Sequence, residues 1–243
     1  MFARAVFLDI GANVGVYSIM LSQEDTVAET HAVEALTALA DEIQGNIELN
    51  GLSGEVQVHR TVLSDSDGQV DFLVRSRYAG DGGVLETHQY AHIPYDHIES
   101  LRTTKLDDLV TIEGRDVIAK IDVEGHEIGV LRGAERTLRS NRGFLQVEVL
   151  TEESLREAES LLQNYGWFRL FVADRDAYFS NIPEYESVET RLKLLEDGIS
   201  QFVDRNRRGE GTPTRKRILP GVTLEIPRAR VHRVRQLVRR TPK

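Results

Sequence analysis

The sequence predicts an α/β fold with a doubly wound sheet, and three observations carry that prediction. Apolar runs of strand length alternate with longer helical stretches through most of the chain. A glycine-containing turn joins the first such run to the first helix in "AVFLDIGANVGVYSIMLS", residues 5–22. The last regular runs, 168–173 and 177–180, flank "DRD" and read as an antiparallel pair. In sheets of this kind the ligand lies beyond the carboxyl ends of the strands.

Taken in order, 5–10 is a short buried strand and 14–21 the start of a helix. A second strand ends at Val33–Glu34, 36–49 is helical in pattern, and 56–62 is a third strand. Residues 69–75 alternate like a solvent-facing strand after the turn "DSDG", and 76–100 has no clear period. This stretch is read as a hairpin and loop insertion at about 66–104. A buried strand at 117–122, one helix over 124–140, a strand at 144–150 and a helix over 152–165, closed near Gly166, complete the alternation. A domain over 1–182 is expected, followed by a charged extension over 183–243. The extension reads as a charged helix (186–202), a loop rich in Gly, Pro and Arg, and a basic helix over 228–239.

A chain of 243 residues is long enough to bury an ordinary core. It has no cysteine, which excludes a disulfide framework, a thiolate zinc site and a cysteine nucleophile. No basic-then-apolar leader is evident, and no apolar stretch approaches the roughly 20 residues of a membrane span. A cytoplasmic protein is therefore expected. The net charge of -9 argues against a general nucleic-acid binder, but the charge is divided. From Arg205 onward 13 basic residues face two acids, a net +11, and the remainder carries -20.

Three nucleotide-binding readings compete for the opening turn. A phosphate-binding P-loop would need Gly-Lys-Ser/Thr, which is absent. A dinucleotide fingerprint that counts Gly11 as its first position would need glycine at the third and sixth, where Asn13 and Val16 stand. The third reading is an acid and a glycine turn, Asp9-x-Gly11-x-Asn13-x-Gly15, with Glu34 closing the next strand. Small residues admit a ligand without phosphates, and carboxylates pair with hydroxyl or ammonium groups. S-adenosylmethionine (SAM) has those groups and no phosphate.

The ordered stretches "LDIGANVGVYS", "AVEAL", "NIELNGL", "VLSDSDG", "TTKLDDLV" and "AKIDVEGHEIGVLRGAERTL" resemble the FkbM-type SAM-dependent methyltransferases over roughly residues 5–150. The resemblance implies a class I methyltransferase fold, Rossmann-like, with seven strands and the last antiparallel. It also implies methyl transfer to a hydroxyl oxygen of a sugar, polyketide or related metabolite. Carried over position by position, Asp9, Gly11, Asn13 and Gly15 would surround the methionine part of SAM. Glu34 would accept from the ribose hydroxyls, and Ser64 and Asp65 would lie beside the adenine. Family members commonly carry a covering segment ahead of the first strand, which here begins within a few residues of Met1. The cover is expected from elsewhere, the tail included.

Methyl transfer demands that the acceptor be held in line with the methyl group, and a hydroxyl acceptor needs help in losing its proton. Asp122 ends a strand at the switch point, and Glu124, His126 and Glu127 follow at the mouth of the next helix. If that helix begins promptly, Asp122 and His126 face the cleft together. His126 is then the candidate base, with a hydrogen bond to substrate or a structural role as its alternatives, and Asp122 is the orienting group or a metal ligand, also counted with the cofactor-binding set. Glu148 adds a carboxylate from the neighbouring strand. Glu124 and Glu127 also fit a plain role against the helix dipole. Carboxylates suit Mg²⁺, but no ligand spacing is diagnostic and the ion is not favoured. His88, His92 and His97 match no metal motif and are read as part of a loop that touches substrate.

In the tail, Val231, Val234, Leu237 and Val238 fall on one helical face among arginines. Packing on the domain or on a second copy, giving a homo-oligomer, is expected ahead of an anionic membrane surface. The leading expectation is an O-methyltransferase acting on a small-molecule or glycosylated hydroxyl. The rivals are a nucleic-acid methyltransferase that uses the basic tail, which rests on charge alone, and an inactive interaction protein on the same fold.

Overall fold

A computed structural model describes residues 4–74, 82–87, 94–190, 214–219 and 222–226. Its main sheet is built from β1 (Ala5–Ile10), β2 (Val27–Glu34), β3 (Val56–Arg60), β8 (Asp116–Ile121), β9 (Arg142–Glu148), β10 (Phe168–Ala173) and β11 (Asp176–Ser180). The order across the sheet is β10-β11-β9-β8-β1-β2-β3. All pairings are parallel except those of β11 with β9 and with β10, so the expected seven-stranded sheet with an antiparallel last strand is present. The chain leaves β1 toward β2 on one side and returns to β8 on the other. The β1/β8 boundary is therefore the switch point of a Rossmann-like sheet, where a ligand crevice opens.

Helix α1 (Val16–Ser22) and α2 (Thr37–Leu49) pack on one sheet face through Ile19, Ile43 and Ile47. The short α3 (Leu106–Leu109), α4 (Glu127–Gly133), α5 (Glu135–Ser140) and α6 (Glu152–Asn164) cover the other. Every residue of β1 is buried, as expected of a central strand with helices on both faces. α6 starts at a reciprocal cap between Thr151 and Ser154, the surest helix start in the sequence.

The insertion is a sheet of its own. β4 (Val62–Leu63), β5 (Gly68–Val74), β6 (Gly83–Val84) and β7 (His97–Thr104) pair in the order β4-β7-β5-β6. Phe72, Val74 and Val84 form its apolar face and pack on Ala35 and Leu36, directly after β2. Residues 97–100, expected in a loop, belong to β7, because β5 supplies a full register of partners that their polar sequence does not announce.

Two further expectations change. The single helix over 124–140 is two helices broken at Ala134. Gly133 passes so close to the chain at Ser64 that a Cβ there would lie 2.0 Å from the Ser64 carbonyl oxygen, which fixes where α4 stops. In the tail, part of the expected loop forms the antiparallel strands β12 (Thr214–Leu219) and β13 (Val222–Ile226). Pro220-Gly221 between two β-type runs is a turn signal that composition alone had merged into a loop. The expected helix at 186–202 is described only to residue 190, and the basic helix at 228–239 lies outside the described residues. Among the described residues no helix is long and apolar enough to cross a membrane.

Two glycine substitutions separate close packing from local propensity. Gly143 lies where β9 meets β8, and an added Cβ would fall 1.7 Å from the Val117 carbonyl oxygen. Gly143→Ala should destabilise by roughly 3 kcal/mol or more. Gly45, inside α2, would place a Cβ in open space, and Gly45→Ala should stabilise by about 0.5–1 kcal/mol. Thermal melts check both: the first should fall well below the parent and the second rise by roughly 1–4 °C.

Candidate functional site

The opening turn is held from below by β2. Gly11 N–H and Ala12 N–H both donate to the Val33 carbonyl at 3.0 Å, and Asn13 N–H donates to Glu34 Oε2 at 2.9 Å. The other Glu34 oxygen accepts from Leu36 N–H at 3.0 Å. One buried carboxylate thus ties the first turn to the second. Burial pushes its pKa up, while the Leu36, Asn13 and Ala35 N–H groups pull it down. Gly11, Asn13 and Gly15 all have left-handed φ (76°, 55° and 79°), which explains the two glycines and the asparagine. At Gly11 a Cβ would also meet the Asp122 carbonyl oxygen at 1.9 Å. The crossing of the chain at the switch point by itself therefore requires glycine there.

Asp9 is fully buried on β1. Its Oδ2 accepts from Ser18 N–H (2.9 Å) and from Ser18 Oγ–H (2.6 Å), while Oδ1 has no hydrogen-bond partner among the described residues. Directly across the register lies Lys120 of β8, itself only 5% exposed. Its Nζ is 3.0 Å from Asp122 Oδ2, donates to the Gly11 carbonyl at 3.4 Å, and lies 5.4 Å from the centre of the Tyr17 ring. Burial raises the Asp9 pKa against the opposing pull of Lys120 and Ser18. For Lys120, burial works against the charge, but Asp122 and Asp9 outweigh it and hold the pKa above the usual lysine value.

Asp122 also lies beside Glu148, the last residue of β9, with one carboxylate oxygen of each within 4.8 Å of the other. The Glu148 Oε2 is buried and has no hydrogen-bond partner among the described residues. Burial, followed by the neighbouring Asp122 and Glu124 charges, pushes Glu148 up to about 8. Asp122, Glu124 and Glu148 bring one carboxylate oxygen each within 4.8 Å of one another. This spacing would admit a cation, but the Lys120 ammonium already supplies positive charge to it.

His126 is not part of this group. The expected prompt helix start fails because Glu124 (φ 57°) and Gly125 (φ 109°) turn the chain first, and α4 begins only after His126. The turn is closed by Glu127, whose Oε1 accepts from Val123 N–H and Gly125 N–H, both at 3.1 Å. The imidazole is carried away from Asp122, toward the insertion. Its Nε2 shares a hydrogen bond with Ser64 Oγ (3.0 Å) and its Nδ1 with Thr87 Oγ1 (3.3 Å). Burial lowers its pKa, against the nearby Asp65 and Glu86. Asp65 itself is exposed and accepts from Ser66 Oγ at 2.9 Å. His97 is on β7 and bonds Glu99, whereas His88 and His92 lie outside the described residues.

Asp9, the glycine turn, Glu34, Ser64, Asp122 and Glu148 thus line the carboxyl-end rim of the sheet. Lys120, Tyr17 and Thr87 were missed from the sequence. A lysine inside the apolar strand "DVIAKI" was the available signal for the first, whereas the other two are placed only by the fold. The family model of the methyltransferase FkbM domain matches residues 9–169. The chain belongs to the FkbM methyltransferase family. All the FkbM rim residues named here lie within the matched span, and the charged tail lies beyond it. No curated protein matches the chain. Among solved structures, an FkbM methyltransferase from Methylobacillus flagellatus KT is 14% identical, with a TM-score of 0.49 over 73% of this chain and 44% of that one. The present chain therefore spans less than half of that relative. A precorrin-6y C5,15-methyltransferase from Geobacter metallireducens GS-15 is 14% identical, covering 74% of this chain and 80% of that one, with a TM-score of 0.42. M. jannaschii TYW2 in complex with AdoMet is 14% identical, covering 74% and 70%, with a TM-score of 0.37.

The raised Glu148 pKa has a consequence for stability. The stabilisation that goes with its proton is complete below the ordinary carboxyl value of 4.5 and is lost as the pH climbs toward about 8. Urea unfolding at about pH 5 and about pH 9 should show the parent losing more stability across that interval than Glu148→Gln. Equal losses in the two proteins would contradict the assignment.

Proposed function

We propose that this FkbM domain is a SAM-dependent O-methyltransferase acting on a hydroxyl of a small-molecule or glycosylated metabolite. The fully buried Asp9, with one oxygen unpartnered among the described residues, and the half-buried Asp122 beside Lys120 support a cationic nucleoside and disfavour a phosphate ligand. When bound, that cofactor supplies a methyl group on a positively charged sulfur. Asp9, Gly11, Asn13 and Gly15 would hold its methionine end, Glu34 its ribose hydroxyls, and Ser64 and Asp65 its adenine. Glu34 keeps lone pairs for this role, since each of its oxygens accepts one backbone N–H.

The observation that carries the hydroxyl acceptor is the Asp122–Glu148 pair beside the switch point. Lys120 Nζ lies 3.0 Å from Asp122, and Glu148 beside it is pushed up to about 8, which matches a general base working at mildly alkaline pH. Ionised Glu148 accepts the hydroxyl proton through Oε2, which has no hydrogen-bond partner among the described residues. Asp122, held by Lys120, stands beside Glu148 and accepts a hydrogen bond from it once Glu148 has taken up the proton. His126, bonded on both ring nitrogens to hydroxyls away from this pair, is not assigned the base role.

Calorimetry with SAM, using NAD as the control ligand, tests the cofactor half. SAM should bind and NAD should not, with Glu34→Ala weakening SAM by about tenfold or more. A well-folded protein that ignores SAM would overturn the reading. For the acceptor half, a screen of hydroxylated metabolites reads S-adenosylhomocysteine formation. With an active acceptor, kcat/KM should rise with pH up to about 8. Glu148→Gln should lower kcat by about 10²–10⁴-fold while the Kd for SAM stays close to the parent value.

A further inference from the structure

His126 sits where three parts of the molecule meet. It belongs to the turn between β8 and α4, its Nε2 bonds Ser64 Oγ at the end of β4, and its Nδ1 bonds Thr87 Oγ1 just past β6. Ser64 is itself buried and tied to β7, its N–H donating to the Thr104 carbonyl at 2.9 Å. Thr87 closes the turn after the two-residue β6, its N–H donating to the Val84 carbonyl at 3.1 Å. Among the described residues β6 pairs with β5 alone, through Phe72–Val84 and Leu73–Gly83, and stands at the edge of the insertion sheet. α4 is adapted to the arrangement at both ends. Gly133 lets it approach Ser64, and Gly129 leaves room for the imidazole, since a Cβ there would lie 2.6 Å from His126 Nε2.

We infer that His126 is a positioning residue that latches the β6 edge of the insertion sheet to the Ser64 loop. The wall on the Glu34–Ser64 side of the site is thereby held closed by the chain Ser64–His126–Thr87. The insertion core already packs on Ala35 and Leu36, immediately beyond Glu34, so the latch closes the second side of the same corner. What the corner encloses, the adenosine end of SAM, rests on the proposed function. The latch itself does not.

Hydrogen–deuterium exchange with peptide-level mass spectrometry tests it on the full chain with two mild variants. Thr87→Val removes one hydroxyl at an exposed position, and Gly129→Ala pushes the ring off its seat while leaving its chemistry intact. Alanine in a helix interior would otherwise be favourable. In the ligand-free protein both variants should speed exchange across 83–87 by about fivefold to tenfold, with β1 and β8 unchanged. Exchange at parent rates in both variants would overturn the latch, whether or not SAM binds. With SAM added, the parent should gain protection over 83–87 and both variants should lose most of that gain. Protection by SAM that is equal in parent and variants would overturn the coupling of the latch to the site. A folded parent that does not bind SAM would instead count against the proposed function, and the ligand-free comparison would still decide the latch.

Discussion

The carboxyl end of the sheet depends on one buried cation. Lys120 lies between Asp9 on the neighbouring strand and Asp122 two residues along its own, and reaches the Gly11 carbonyl at the start of the turn. Without it, two acids would face each other where β1 and β8 separate, one of them fully buried. Removing one member of a buried pair costs about 3–5 kcal/mol, a large part of the roughly 5–15 kcal/mol that holds a domain folded. The next group along shares this crowding: burial and the neighbouring Asp122 and Glu124 charges push Glu148 up to about 8. Fold stability and the candidate chemistry at this rim therefore share one electrostatic arrangement.

Much of the frame was legible because its signals are local. The buried strands, the glycine turn with its acid, the closing Glu34 and the capped α6 each follow from a few adjacent residues. The antiparallel ending was visible in the spacing around "DRD". The carboxyl-end rim followed in turn, since strand ends name their own residues once the strands are placed.

What escaped the sequence depends on contacts between distant segments. The late start of α4 follows from left-handed conformations at Glu124 and Gly125 and from Glu127 folding back on the loop, and it separates His126 from Asp122. The break at Ala134 follows from Gly133 passing Ser64, some 70 positions away in the chain. β7 was hidden because its residues are polar and its partners lie across the insertion. Even the glycines of the opening turn had a second reason that local reading could not supply. Gly11 is required by the Asp122 carbonyl and Gly15 by its left-handed φ and its packing on Ile43.

The carboxyls at this rim, beside Lys120 and with Glu148 pushed up to about 8, are arranged to receive a cation. Calorimetric titration with SAM at about pH 7, in two buffers of different ionisation enthalpy, reads the protons exchanged on binding. A cation placed beside Glu148, whose pKa is pushed up to about 8, lowers that pKa, so a net release of protons is expected. Binding accompanied by no release, or by proton uptake, would contradict this arrangement.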